Sequence, residues 1–118
     1  MSYDIFFRVK VEGIDRYLSV GECNANITWN VKELIRQSSG WHIKNEEYNG
    51  FVKDLIPHIR KGLSRLEVYP EPYKKFESPN GWGTICGVIR FYKEIIWAWE
   101  RLYEEDSELA NIALIYVC

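Results

Sequence analysis

The chain has 118 residues and a net charge of −2, and 47% of its residues are hydrophobic and 27% charged. This length corresponds to one ordinary domain, and this composition excludes a disordered chain. The small net charge argues against nucleic acid as a partner, because phosphate-binding proteins usually carry a basic excess. We therefore expect a single domain over residues 1–118.

The cysteine content and the first residues indicate where the protein resides. The odd number of cysteines, with no CxxC pair, suits a reducing compartment: Cys23, Cys86 and Cys118. Charged residues interrupt the N-terminal segment, so we expect no signal peptide, and no apolar run approaches the roughly 20 residues of a membrane span. These features predict a cytoplasmic protein without a membrane partner.

The N-terminal residues predict a β-hairpin. Apolar side chains alternate with mostly polar ones over Tyr3–Val11, which is the period of a half-buried strand. Glu12–Asp15 is predicted to turn, and Arg16–Val20 to return as a second strand. The polar segment Gly21–Asn30 that follows is predicted to be irregular.

A short helix is predicted over Val31–Gln37. Asn30 and Glu33 have the spacing of a capping box, in which two side chains satisfy the first free N–H groups of a helix. Gly40 can adopt the left-handed conformation that follows a helix end. Trp41–Tyr48 is then predicted to be a loop or a short strand.

A second helix is predicted to begin after Asn49 as its N-cap. Its apolar stripe has helical spacing: Phe51, Val52, Leu55, Ile56, Ile59, Leu63 and Leu66. Pro57 removes one backbone donor on the polar side, so we expect a kink or a restart there. The prolines of Tyr69–Pro72 end the helix, Tyr73–Phe76 is predicted to add one turn, and Ser78–Gly81 to form a turn.

The longest and most apolar helix is predicted over Gly81–Tyr103. One broad apolar arc forms its core face: Ile85, Val88, Ile89, Tyr92, Ile95, Ile96, Trp99 and Leu102. The opposite face is charged: Arg90, Lys93, Glu94, Arg101 and Glu104. Trp97 breaks this pattern, because it projects from the middle of the charged face.

The acidic run Glu104–Glu108 is predicted to be a solvated connector, and the apolar, β-prone segment Asn111–Cys118 to form a final buried strand. The predicted order is therefore ββαααβ. This order indicates an α+β fold in which a small antiparallel sheet, made of the hairpin and the C-terminal strand, packs about three helices on one face.

No known catalytic motif is present, and we expect neither an enzyme nor a cofactor. The sequence contains no GxSxG, GxxxxGK[ST], GxGxxG or HExxH string. His42 and His58 are the only histidines, and neither lies near a cysteine at metal-ligand spacing, so no metal site is predicted.

Two sets of residues leave a choice between a structural and a binding role. The basic side of the second helix is either solvated surface or an anion-binding face, and it consists of Lys53, Arg60, Lys61 and Arg65. Trp41 and Trp82 each lie beside a glycine, so each ring is either a lid over the core or a binding surface. Thr84 is predicted to cap the long helix, whose free N–H groups could then hold an anion.

Trp97 is the strongest single candidate for a contact residue. Its neighbours one turn away are charged: Lys93, Glu94, Glu100 and Arg101. Either the aliphatic parts of Lys93 and Arg101 cover the ring, or the ring contacts another chain.

Several strings resemble a family of small uncharacterised proteins encoded by bacterial phages and prophages. The strings are NITWNV (Asn26–Val31), GWHIKNEEYNGFVKDLIP (Gly40–Pro57) and ESPNGWGTI (Glu77–Ile85), and the resemblance extends to the opening MSYDIFFRVKVEG. It implies a setting, the cytoplasm of an infected bacterium, and it implies no activity.

The leading hypothesis is a non-enzymatic phage accessory protein that binds a host protein, such as a component of a defence system; an anti-CRISPR protein is one such case. The candidate binding residues are Trp41, His42, Lys53, Arg60, Asn80, Trp82, Thr84, Trp97 and Arg101. One alternative is a sponge that sequesters a small nucleotide in a pocket at a homo-oligomer interface, with tryptophan stacked on the base. The other is an enzyme of unrecognised type.

Overall fold

The computed structural model describes residues 2–79, 81 and 83–118 and confirms the α+β fold. Within these residues the strands are β1 (Ser2–Val11), β2 (Arg16–Ser19), β3 (Asn26–Thr28), β4 (Glu47–Phe51) and β5 (Leu114–Val117). The α-helices are α1 (Lys32–Ser39), α2 (Val52–Val68), α3 (Ile85–Glu105) and α4 (Ser107–Ile112), and the 3₁₀ helices are Trp29–Val31 and Glu71–Phe76.

The described strands form one antiparallel sheet in which β1 and β5 are central. The order is β2-β1-β5-β4, and β3 pairs with the first residues of β1. Val9 faces Leu18 in the hairpin, as predicted, and Ile5 faces Val117 across β1 and β5. The two ends of the chain are therefore neighbours in the sheet.

The two faces of the sheet have different environments. Alternate residues of β1 and β5 are buried in the core with the helices: Tyr3, Ile5, Phe7, Val9, Ile115 and Val117. The intervening residues, such as Phe6 and Tyr116, point to the opposite face and stay partly accessible. The predicted packing of helices on one face of the sheet is confirmed.

Helix α3 is the central helix of the core, as predicted, although it begins later than expected. Every member of its predicted apolar arc is buried or partly buried. Thr84 is the N-cap, because its side chain accepts a hydrogen bond from the Gly87 N–H at 3.1 Å. The acidic run after α3 is more than a connector: Asp106 accepts from the Leu109 N–H at 3.1 Å and so caps α4.

The predicted capping box of α1 does not form. A cap residue needs an extended backbone, whereas Asn30 already lies inside the 3₁₀ helix that precedes α1. The N-cap of α1 is Val31, which has no capping side chain, and Glu33 instead binds Arg36 and Gln37. The helix end is as expected, because Gly40 has a φ of 81°.

Further corrections concern segments near β3, β4 and α2. Part of the segment predicted to be irregular forms β3, because it pairs with β1. Asn49 lies in β4 and does not cap α2, whose N-cap is Phe51. Helix α2 continues through Pro57 without a restart, and Pro57 lies on the exposed side, as predicted.

Candidate functional site

A shallow groove runs along α3, and we call it the α3 groove. Its second wall is the segment 21–27, which leads into β3, and three adjoining depressions of about 500, 90 and 210 Å³ make up its length. The α3 residues that line it recur every three or four positions: Gly87, Arg90, Phe91, Glu94, Trp97, Ala98, Arg101, Leu102 and Glu105. At 1.5 Å per residue, this stripe is about 27 Å long.

Trp97 lies in the middle depression of the α3 groove, and its predicted exposure is confirmed. The side chain is 56% exposed, although its neighbours Ile96 and Ala98 are buried. Its indole N–H donates no hydrogen bond to any residue that the structure describes. The helix period explains this placement, because Trp97 projects opposite the core arc.

Within the described residues, the charged groups of Lys93 and Arg101 do not lie over the Trp97 ring. Lys93 is directed to Glu67 of α2, with an N–O distance of 3.5 Å. In the described ranges, no cation lies over the Trp97 ring. Arg101 lines the same depression as Trp97, together with Glu22 and Glu94.

The charges along the α3 groove are mixed. Two guanidinium groups line it, Arg90 and Arg101, and so do three carboxylates, Glu22, Glu94 and Glu105. Arg90 and Glu94 are 4.0 Å apart, which is a loose and exposed ion pair. The groove therefore offers positively charged donors and negatively charged acceptors around one large apolar ring.

Trp41 is not exposed, so the expectation of a binding surface there is wrong and the core-lid alternative is correct. The ring is 5% exposed and stacks on Phe91 with centroids 6.2 Å apart. Its indole N–H donates to Asn49 Oδ1 at 3.1 Å. His42, next in the chain, is exposed and lines a depression of about 240 Å³ together with Trp41, Lys44, Tyr48 and Asn49.

The basic side of α2 is partly engaged within the domain. Arg60 donates to Glu100 of α3 at 3.3 Å, and Arg65 donates to the Ser38 carbonyl at 3.0 Å. Lys53 lies over the Phe51 ring, 5.6 Å from its centroid. The structure therefore does not gather these residues into one anion site.

The start of α3 is also occupied, which corrects the prediction of free N–H groups at Thr84. The Ile85 N–H donates to Glu77 Oε2 at 2.8 Å, and the Gly87 N–H to Thr84 itself. A carboxylate of the chain already takes the place of an anion at this helix dipole. Arg60 and this helix start, two of the anion-binding features considered from the sequence, are thus used internally.

Asn80 and Trp82, two further candidate residues, lie outside the described residues.

The shifted titratable groups have structural causes. Burial raises the pKa of the Cys23 thiol to about 11 and that of the Tyr92 hydroxyl to about 12. Hydrogen bonds from Arg36 and Gln37 lower the pKa of Glu33 to about 2. Over the parts of the chain that the structure describes, no group of three or more His, Cys, Asp or Glu residues could hold a metal ion.

One cluster of side chains was not predicted from the sequence. It lies on the sheet face away from the helices and contains Phe6, Arg8, Tyr17, Tyr48 and Tyr116. The alternation in β1 already placed Phe6 and Arg8 on the outward face. Tyr17 lies in the predicted hairpin, but Tyr48 and Tyr116 could not be added, because the pairing of β5 with β1 and β4 was not predicted.

Comparisons with protein-family models, with curated proteins and with solved structures found no match to this chain. Among the described helices, none has the length and apolar character needed to span a bilayer.

Proposed function

We propose that this chain is a non-enzymatic binding protein that holds a segment of a protein partner in the α3 groove, with Trp97 as the main contact. The exposed indole in the middle of the groove carries this proposal. Burying a tryptophan side chain removes about 150–250 Å² of surface from water, and tryptophan is enriched among the residues that dominate binding energies.

The charge pattern of the groove favours a protein over a phosphate-rich ligand. Three carboxylates line it beside two guanidinium groups, and carboxylates repel phosphate. A polypeptide carries both charges and backbone donors and acceptors, so it can match such a surface. The groove length of about 27 Å would accommodate a helix of about five turns, or an extended segment of the same length with fewer residues.

The biological setting that we propose follows from the sequence resemblance to phage-encoded proteins. In that setting the partner is a protein of the host bacterium, and inhibition of a host defence system is the form of the activity that we favour.

The test is capture of a host protein by the wild-type chain and by a Trp97→Ala variant. Tyr69→Ala is the matched control, because Tyr69 is another exposed aromatic residue, at the end of α2 and outside the groove. We expect wild type and Tyr69→Ala to retain the same host protein. With that host protein isolated, Trp97→Ala should lower the affinity of the complex by about 30-fold or more. This is the effect of losing about 2 kcal/mol at a binding hot spot.

Two results would contradict the proposal. One is retention of the same protein with equal affinity by Trp97→Ala. The other is a chain that captures nothing and instead forms a dimer that Trp97→Ala dissociates, because the occupant of the groove would then be a second copy. Circular dichroism of both variants must show an unchanged fold, which we expect because both side chains are exposed.

A further inference from the structure

The sheet face away from the helices presents a guanidinium, that of Arg8, whose contacts among the described residues are aromatic rings. The guanidinium of Arg8 lies 4.4 Å from the ring centroid of Tyr116 and 5.3 Å from that of Phe6. Arg8 is partly buried, and its side chain forms no hydrogen bond or ion pair with any residue that the structure describes. Two rings therefore hold the guanidinium in place while its N–H donors remain available.

Three aromatic residues form a row across the sheet beside Arg8. Phe6 of β1 faces Tyr116 of β5, and Tyr116 faces Tyr48 of β4. The rings of Tyr48 and Tyr116 are 4.8 Å apart, and Tyr17 of β2 stacks on Tyr48 at 4.4 Å. We call these four aromatic residues, together with Arg8, the open sheet face.

The rings of the open sheet face remain accessible, and recesses lie at both ends of the row. Phe6 is 38% exposed and borders a depression of about 260 Å³ at the edge of the sheet, which the segment 23–26 also lines. Tyr48, at the other end, borders the depression of about 240 Å³ that Lys44 and His42 also line. A planar group could therefore lie against the row at either end.

Two lysines add positive charge near the open sheet face. Lys10 faces Tyr17 across β1 and β2, and Lys44 lies beside Tyr48. The carboxylate at this face of β1 is Asp4, which already accepts hydrogen bonds from Asn26 and Ser2. Charges beyond about 8 Å are largely screened in physiological salt, so these local cations matter more here than the net charge of the chain.

We infer that the open sheet face binds single-stranded nucleic acid, with bases stacked on its rings and a phosphate at Arg8. Exposed aromatic rings with nearby cations are the combination that holds single strands, because every base has a face to stack and every linkage carries a negative charge. A second copy of the chain fits less well, since it would oppose Arg8 and Lys10 to identical cations. This inference concerns a different face from the α3 groove and does not depend on the protein partner proposed there.

The experiment measures fluorescence anisotropy of a labelled single-stranded oligonucleotide of about 12 nucleotides at low salt, with the full chain. Its competitors are a duplex of the same length, a mononucleotide and polyglutamate. We expect the single strand to bind best. Arg8→Gln should weaken binding at least about fivefold and reduce the slope of log affinity against log salt by about one.

Two further variants separate stacking from net charge. Lys61→Gln removes the same charge from an exposed position of α2, outside this face, and should leave the affinity nearly unchanged. Phe6→Leu keeps an apolar side chain and removes the ring, so it should weaken binding at least about fivefold. Circular dichroism must show that the variants keep their fold.

Several outcomes would overturn the inference. One is no binding of the single strand up to about 100 µM, the weak end of non-specific affinities. Another is equal weakening by Arg8→Gln and Lys61→Gln, which would show a net-charge effect. Equal competition by polyglutamate would indicate an acidic protein partner, and equal competition by the mononucleotide would indicate a free nucleotide in place of a strand.

Discussion

The buried hydroxyl group of Tyr92 connects α3 to the end of α1, and its removal tests how these helices are held together. Its oxygen lies 2.6 Å from Ser38 Oγ and donates to the Ile35 carbonyl at 3.2 Å. Both side chains are fully buried. The substitution Tyr92→Phe removes both contacts and keeps the ring in the core.

The expected loss of stability depends on whether the groups bonded to the Tyr92 hydroxyl keep another hydrogen-bond partner in Tyr92→Phe. The Ile35 carbonyl keeps its bond from Ser39 Oγ at 2.7 Å, and Ser38 Oγ can still donate to that carbonyl at 3.4 Å. No group is therefore left without a partner, and Tyr92→Phe should lower the free energy of unfolding by about 1–1.5 kcal/mol. A fully orphaned group would add about 1–3 kcal/mol to this cost.

The partner substitution Ser38→Ala completes a double-mutant cycle. It removes the same hydrogen bond from the other side, while the better helix propensity of alanine offsets up to about 0.5 kcal/mol of the loss. The double variant should lose less stability than the sum of the single variants, by about 0.5–1 kcal/mol, because the shared bond is counted only once.

The assay is urea unfolding at neutral pH, followed by circular dichroism for the wild type and the three variants. If the single effects add to within about 0.3 kcal/mol, the two hydroxyls are not coupled and the reasoning is wrong. The pH adds an independent check. Burial raises the pKa of Tyr92 from 10.0 to about 12. The stability that the protonated hydroxyl contributes is therefore complete below pH 10 and is lost as the pH rises toward 12. Tyr92→Phe should lack this part of the decline.

Three further predictions concern the core and the loop before β4. Gly62→Ala should be destabilising, because the new Cβ would lie 2.8 Å from Ser39 Cβ. Overpacking costs about 1–3 kcal/mol, against a helix-propensity gain of about 1 kcal/mol. The control is Ser64→Ala at an exposed position, and a Gly62→Ala variant that is more stable than wild type in urea unfolding would contradict the packing argument. Asn49→Ala should lower the free energy of unfolding by about 2–4 kcal/mol, because it removes four hydrogen bonds and leaves the Trp41 indole N–H unpaired. Asn49→Asp keeps the two contacts in which Asn49 is the acceptor, so an equal loss of stability in both variants would contradict this prediction. Cys23→Ala should show a shallower fall in stability than the wild type between pH 9 and about 11. Burial raises the thiol pKa from 9.0 to about 11, so the stabilisation by the protonated thiol is complete only below pH 9. Identical pH profiles of the two proteins in urea unfolding would contradict this prediction.

Local periodicity was sufficient to predict the elements that bury one side. The N-terminal strand, the C-terminal strand and α3 each repeat an apolar pattern over enough residues to define a face, and the structure buries those faces. The short strands β3 and β4 have no such pattern. They exist because β1 and β5 supply their hydrogen-bond partners, and these partners are distant in sequence.

Local capping motifs were less reliable, because the same side chains can serve other bonds. Asn49 has the composition of a helix cap, yet its amide closes the loop from Trp41 to Glu47 with four hydrogen bonds. Glu33 likewise bonds to Arg36 and Gln37, because the preceding 3₁₀ helix removes the extended residue that a capping box needs. Spacing alone does not decide between such uses.

The two tryptophans show why one candidate could be placed from sequence and the other could not. Trp97 lies inside a long helix, where a turn of 100° per residue fixes its direction relative to the core arc. Trp41 lies in a loop, so its direction depends on contacts made at a distance, with Phe91 of α3 and Asn49 of β4. Glycine beside a tryptophan is compatible with either exposure or burial.

The two surfaces proposed for binding arise from one constraint on a domain of this size. With a single core, the sheet can bury one of its faces and α3 one of its arcs, so some aromatic residues are left at the surface, where they can cover one another or meet a partner. On the open sheet face the tyrosines partly cover one another, and what remains unused is the guanidinium of Arg8. In the α3 groove more than half of Trp97 stays exposed, and the surrounding charges are of both signs. The first surface therefore favours an anionic ligand with planar groups, and the second a polypeptide.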